Sequence, residues 1–367
     1  MEDNPRFQIT SKQSIFIILG STVATGILSL PRVASADAGQ DGWISVILGV
    51  CAPLISLLLI ERLGRLFPNL TMVEIAQLLF GKFLGSVITA GFIAYMIFFQ
   101  SIVLRLIAEI TAVFALPKTP TSVIALLIII SVIYIAQKGA KVVGRLNELL
   151  FYILLFDLLL LLPPLKVADY TNLLPVGGAG LTAIAKGALP TAYAYEGMEV
   201  LLIIYQMVTK KDEVLKAGVT ALGIAMLIYL MVTVIALLVF GAEILQHIIW
   251  PTVVLFKVVD VPVIERLEFF FLALWMGWVS RPVINMCFAS SYSLTRLLKL
   301  DMEQYYSYMV ILVGLSIYVL ALIPDNIVQV FEFATYGGYA FFIAAIGYPL
   351  LFHLAAFLQK GKVKQYA

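Results

Sequence analysis

Apolar runs long enough to cross a bilayer follow one another from end to end of this chain, separated by short polar joins. A helix needs ~20 mostly apolar residues to span the hydrocarbon core. With no water there to satisfy peptide groups, such a run folds as helix. Ten runs qualify, at about 12–34, 41–60, 85–116, 121–137, 144–162, 184–207, 217–240, 266–295, 305–323 and 331–358. Composition agrees, with 62% hydrophobic and 13% charged residues over 367 positions, where a soluble domain carries about 25% charged. The chain reads as an all-α integral membrane protein, a single polytopic domain over residues 1–367.

Two of these runs are interrupted. Gly26 sits in Val23-Ala24-Thr25-Gly26-Ile27-Leu28 and Gly197 in Ala194-Tyr195-Glu196-Gly197-Met198-Glu199, in the first and sixth spans. Breaks at matching places in two halves point to a midplane ligand site between inverted repeats. The repeats are expected at about 12–162 and 184–323, followed by a final span at 331–358. Unwinding frees N–H groups that suit a carboxylate and C=O groups that suit an ammonium or cation. The plain alternative is a small-residue packing notch at each glycine.

Lys and Arg set orientation. With the N-terminus inside, sixteen of the 24 basic residues fall on the inner side, six fall outside, and Arg105 and Arg281 lie within spans. Both termini are expected in the cytoplasm, as an even span number requires. Leu70 and Thr71 are placed to start a short interfacial helix. The stretch His247-Ile248-Ile249-Trp250-Pro251 reads as another surface or re-entrant element.

Thr25, Gly26, Ile27, Tyr195, Glu196 and Gly197 are the candidate ligand contacts at the breaks. Glu196 suits a ligand ammonium or a proton, and Glu199 suits a tie between the broken helix and a neighbour. The alternative for both is a polar network that fixes the break, because a carboxylate at a span centre costs about +2.5–3.5 kcal/mol. Tyr95, Phe98, Phe99 and Ser101 on the third span lie near the midplane; Phe98 and Phe99, with Ser280 on the eighth, are expected to shape a side-chain pocket. Arg105 and Glu109, four apart on one helical face, form a local pair that permits insertion. Arg281, beside Pro282, is too deep to snorkel and calls for a carboxylate. That partner is either Glu196, Glu199, Glu109 or Asp157, or the ligand's own. Asp157 is otherwise part of a proton path.

Other chemistries find little support. Cys51 and Cys287 both lie in apolar runs, so neither a disulfide nor a zinc site is expected. His247 and His353 are isolated, which argues against a metal. No nucleophile–base pair or cofactor motif appears, so no enzyme and no cofactor is expected. A net charge of +2 gives no reason to expect a nucleic-acid partner. The polar first dozen residues lead into a helix break rather than a cleavage site, so no cleavable leader is expected.

Spans one and six resemble those of the amino acid–polyamine–organocation superfamily, which implies a LeuT-like 5+5 inverted repeat with broken helices 1 and 6. Gly26-Ile27-Leu28-Ser29-Leu30-Pro31, Asp41-Gly42-Trp43-Ile44, Gly197-Met198-Glu199-Val200, Ile249-Trp250-Pro251-Thr252 and Ile264-Glu265-Arg266-Leu267-Glu268 resemble the B subunits of spore germinant receptors. That resemblance covers nearly the whole chain. It implies a nutrient-sensing protein of the spore inner membrane that binds an amino acid or similar small nutrient. It also implies an A subunit and a lipoprotein C subunit as partners, with membrane lipid around the chain. A proton-coupled amino-acid permease, using Glu196, Asp157 or Glu109, is the alternative.

Overall fold

The computed structural model describes residues 5–258 and 267–359. The start of the eighth span at 266, the Ile264, Glu265 and Arg266 part of one sequence word, and Lys360, Lys362 and Lys364 lie outside them. Among the described residues the regular structure is helical, with one isolated bridge between Ile9 and Val208. In order, the helices are α1 (Ser11–Thr22), α2 (Gly26–Ala38), α3 (Gly42–Gly49), α4 (Cys51–Leu66), α5 (Met72–Phe80), α6 (Lys82–Phe114), α7 (Thr121–Ala136) and α8 (Ala140–Leu159). They continue as α9 (Leu181–Tyr193), α10 (Leu201–Ile204), α11 (Val214–Leu245), α12 (Pro251–Leu255), α13 (Leu267–Val279), α14 (Arg281–Leu297), α15 (Tyr306–Ala321), α16 (Ile327–Phe342) and α17 (Tyr348–Leu358).

Among the described residues, six helical stretches are long and apolar enough to cross a membrane: 26–66, 82–114, 140–167, 211–245, 267–297 and 327–358. The other expected crossings fall on shorter pieces. α7 and α15 have 16 residues each, and spans one and six are each split in two. A helix does start where Leu70 and Thr71 suggest: α5 is opened by a capping box in which Thr71 and Glu74 satisfy each other's backbone N–H groups at 3.1 and 2.8 Å. The expected element after His247 is the five-residue α12 with Pro251 in its first turn, where the missing N–H costs nothing.

The break pieces α1, α2, α9 and α10 form the centre. α1 packs on α8, α11 and α14, α2 packs on α9 and α11, and α6 lies against α14 and α15. Inside α1, hydroxyls fold back onto the preceding turn: Ser21 donates to the Ile17 carbonyl at 2.8 Å and Thr22 to that of Ile18 at 2.9 Å. A buried amide network joins three helices. Asn285 Nδ2 donates to Ser21 Oγ at 2.9 Å and the Ile17 carbonyl at 3.1 Å, and Asn147 Nδ2 donates to Asn285 Oδ1 at 2.7 Å. Gly20 makes room for it, since a Cβ there would stand 1.9 Å from Asn147 Oδ1.

Both faces are tied. On the face where α1 begins and α10 ends, Ile9 N donates to the Met207 carbonyl at 2.9 Å and Thr209 N to the Ile9 carbonyl at 3.0 Å. Arg6 donates to the Gln137 carbonyl there and lies over the Tyr306 ring, 4.9 Å from its centroid. On the opposite face, buried Asp41 accepts from Gly177 N at 2.8 Å and Ala179 N at 2.9 Å. That clamps the turn between α2 and α3 to the loop leading into α9.

Candidate ligand cavity at the two helix breaks

A cavity of about 930 Å³ starts at the breaks and follows α2 toward the opposite face. Its floor is Ser21, Thr22, Ala24, Thr25 and Gly26, with Ala194 and Glu196 across from them. Phe99, Ile102, Val103 and Leu106 of α6 form one wall, Pro190 and Tyr193 of α9 another. Arg32, Asp37, Gln246 and Trp250 stand toward the mouth. The volume lies within the ~300–1,000 Å³ of small-molecule sites, and the mostly apolar wall with few polar groups has their character.

The two breaks differ in construction. Val23 has φ −83° and ψ 103°, so α1 stops there, and α2 restarts with Gly26 as its first helical residue. The interruption therefore covers Val23, Ala24 and Thr25, and Gly26 itself is helical, against the sequence expectation. A side chain at Gly26 would meet Ala194 at an ordinary 3.6 Å. Gly197 is the strained position, with φ 119°. A Cβ there would lie 2.4 Å from the Ser21 carbonyl oxygen, so only glycine lets the second break touch the first.

Of the expected contacts, Thr25, Gly26, Phe99 and Glu196 line the cavity. Five others are occupied elsewhere. Gly197 packs against Ser21 behind the floor. Tyr195 is buried, donates to the Val46 carbonyl at 2.9 Å and meets the Tyr229 ring edge-on at 5.0 Å. Ile27 is buried in the core, its carbonyl accepting from Thr252 at 2.8 Å. Phe98, one residue from Phe99 and so rotated about 100° around the helix, turns to Phe333 at 6.2 Å. Ser280 donates to the Gly277 carbonyl at 3.2 Å, at the junction of α13 and α14. Its neighbour Pro282 is the α14 residue that reaches the cavity.

The charged residues form separate contacts rather than one network. Arg105 and Glu109 pair at 3.3 Å, as their spacing implies. Tyr95 OH lies 2.6 Å from Glu196 Oε1 and 2.8 Å from Glu199 Oε1, and Gly197 N donates to Glu199 Oε2 at 3.0 Å. Asp157 is not the partner of Arg281, because Trp278 stands between them. Its indole donates to Asp157 Oδ2 at 2.9 Å, its carbonyl accepts from Arg281 Nε at 2.8 Å, and its ring lies 5.5 Å from the guanidinium. Both Arg281 Nη atoms are buried without a partner among the described residues.

Sequence reasoning missed one wall. Phe331, Thr335, Gly338, Tyr339 and Phe342 of α16 all line the cavity. Gly338 and Thr335 are three apart on one helical face, and this small-and-polar stripe in an apolar run was the available signal. The Tyr229 hydroxyl was also missed; it lies 2.8 Å from the Thr22 carbonyl and 2.7 Å from that of Ala194, joining the two broken strands of chain.

A family model described as spore germination protein matches residues 8–330. The chain belongs to the spore germination protein family. It is 29% identical over 303 residues, 81% of this chain and 83% of the relative, to spore germination protein YndE of Bacillus subtilis (strain 168). It is 26% identical over 363 residues, 97% of this chain and 98% of the relative, to spore germination protein A2 of the same organism. Among solved structures it is similar to MhsT in complex with L-phenylalanine, with TM-score 0.60, 15% identity and coverage of 95% of this chain and 99% of that one. It is also similar to a Na+-coupled sialic acid symporter in a substrate-bound outward-open state, with TM-score 0.70, 11% identity and coverage of 96% and 79%. The chain therefore has a LeuT-like fold of membrane-spanning helices.

Proposed function

We propose that this chain is the nutrient-sensing subunit of a spore germinant receptor, and that the cavity at the two breaks receives the nutrient. The observation that carries the reading is the cavity itself, floored by Thr25 and Gly26 and faced by the carboxyl of Glu196, in a chain of the spore germination protein family. An amino acid is the favoured ligand. The cavity offers the acid Glu196 near one end and, at Gly26, the start of a half-helix whose N–H groups suit a carboxylate. The fold's likeness to a protein solved with L-phenylalanine is in keeping with that choice. The Lys and Arg bias puts both termini in the cytoplasm. The family resemblance supports a place in the spore inner membrane, with an A subunit and a lipoprotein C subunit as partners.

The test is a thermal-shift screen of the purified chain against amino acids, sugars and nucleosides. Stabilisation by at least one small nutrient is expected, and its loss in a variant with Thr25 or Glu196 changed places the ligand in the cavity. A protein that no nutrient stabilises overturns the reading. The likeness to a Na+-coupled symporter supports a second reading, a working permease. Accumulation of labelled amino acid in proteoliposomes holding this chain alone would favour it.

A further inference from the structure

One hydroxyl stands between two buried carboxyl groups. Tyr95 OH is 2.6 Å from Glu196 Oε1 and 2.8 Å from Glu199 Oε1, both distances normal for O–H···O bonds. A phenol has one hydrogen to donate, so it serves one carboxylate only. The second short contact needs a hydrogen from the carboxyl side, or two lone pairs would face each other in a low-dielectric site. The cluster therefore holds one proton more than two ionised carboxylates and a phenol would.

The remaining bonds say where that proton sits. Glu199 Oε2 accepts from Gly197 N at 3.0 Å, a donor that favours the ionised carboxylate. Glu196 Oε2 is buried with no partner among the described residues, and Glu196 lines the cavity. The consistent arrangement runs from Glu196 O–H to the Tyr95 oxygen, and from Tyr95 O–H to Glu199. Other titratable groups on the surrounding elements do not neutralise it. α9 brings the phenol Tyr193 and the exposed Lys186, and α16 the phenols Tyr336 and Tyr339 and the exposed Glu332. α11 brings Tyr229, bonded to the Thr22 and Ala194 carbonyls, and α2 brings Arg32 and Asp37, which stand together toward the cavity mouth. α1 brings only Lys12 at its far end, and α4 brings Cys51 and, near its other end, Glu61, Arg62 and Arg65, with Glu61 paired to Arg65. α6 also brings Lys82 and the Arg105–Glu109 pair. α14 brings Arg281, bonded to Trp278, with Cys287, Tyr292 and Arg296, the last paired to Glu74.

We propose that Glu196 gives up this proton when a ligand ammonium enters the cavity, so that a nutrient carrying a primary amine is bound in exchange for H+. The Glu196 O–H bond breaks, its proton leaves through the cavity to solvent, and the ammonium takes up the ion pair with the carboxylate. At the amine end one positive charge enters and one leaves, and the ligand's own carboxylate is taken by the N–H groups at the start of α2. Tyr95 is the positioning residue: it relays the negative charge of Glu199 to Glu196 and holds the proton there until the ligand arrives. This rests on the reading of the cavity as an amino-acid site, and it names the group that selects the amine.

Calorimetry on the full chain in lipid nanodiscs tests it, with L-alanine, L-leucine and L-phenylalanine as probes in buffers of different ionisation enthalpy. About one proton released per bound amino acid is expected, with affinity rising about tenfold per pH unit while the proton is held. 3-Phenylpropanoate, which lacks the amine, should bind weakly and release none. Glu196→Gln should bind the amino acid more weakly, without proton release. In Glu199→Gln the amide can donate to the Tyr95 oxygen, leaving Tyr95 O–H free to serve an ionised Glu196. That variant should bind with no proton release and a flat pH dependence, a result that lost folding cannot imitate. An amino acid that binds the parent chain with no proton released overturns the exchange and leaves the nutrient site standing. 3-Phenylpropanoate binding as tightly as L-phenylalanine overturns the ammonium assignment. A chain that binds none of the amino acids overturns the site and the exchange together.

Discussion

Gly197 rests on the backbone of Ser21, so the two helix breaks touch through bare main chain: a Cβ on Gly197 would be 2.4 Å from the Ser21 carbonyl oxygen. Neighbouring elements reinforce the contact. Tyr229 reaches the carbonyls of Thr22 and Ala194, one on each broken span, and Asn285 holds Ser21 from the other side. The cavity floor is thus a junction of two chain segments braced from α11 and α14.

This contact makes the two glycines unequal. Gly197→Ala meets both a left-handed backbone, φ 119°, and a backbone atom that cannot give way, a combination worth about 1–3 kcal/mol of strain or more. Gly26→Ala meets only Ala194 at 3.6 Å and should be tolerated. Thermal unfolding of both variants in detergent checks the order. Equal stability of the two would mean that the breaks do not meet this way.

The two adjacent phenylalanines should also separate. Phe99 lines the cavity and Phe98 packs on Phe333. Removing bulk from an apolar pocket changes discrimination by about 10–200-fold. Phe99→Ala should therefore reorder nutrient preference, while Phe98→Ala leaves the ranking intact. Dose–response curves for several amino acids on each variant would decide it.

Arg281 makes a prediction opposite to the one its sequence context invites. If it were paired with a buried acid, removing it would strand that acid at a cost of ~3–5 kcal/mol. Its Nη atoms have no partner among the described residues, and its one bond goes to the Trp278 carbonyl. Taking an uncompensated charge out of a buried site removes its desolvation cost, so an apolar side chain of similar volume is neutral or stabilising there. Arg281→Met should express and melt like the parent or better. A fall in Tm matching several kcal/mol would reveal an anionic partner.

Asp169, in the loop before α9, titrates in a known direction. The Thr171 hydroxyl and backbone N–H, at 2.7 and 2.9 Å, hold its carboxyl below the usual range. A depressed folded-state value contributes stability above the unfolded value of about 3.9, and that contribution disappears as pH falls through the folded value. Asp169→Asn should therefore lower the melting temperature at neutral pH, with parent and variant converging in acid. Melting curves across that range check it, and a gap that widens in acid would contradict it.

Much of the architecture was legible because a bilayer leaves the backbone few options. The apolar runs give helices, and glycine beside acids in the sixth run marks a break. Partners across the bundle were not legible. Asn147 and Asn285 find each other only because Gly20 has no side chain, and they stand 138 positions apart in the chain. Asp157 and Arg281 read as complementary charges until Trp278 is placed between them. The α16 wall was hidden because lipid-facing and cavity-facing residues of that helix are equally apolar. Only Thr335, Gly337 and Gly338 hint at an inner face.

The clasp at the chain's start completes a mechanical unit. α1 and the α10 segment are joined at one end by Gly197 against Ser21 and at the other by Ile9 with Met207 and Thr209. Two bodies pinned at two separated points cannot slide past each other; they can only pivot as a single lever. A tilt at the cavity floor therefore has a direct hydrogen-bonded route to residues 6–9 at the other end.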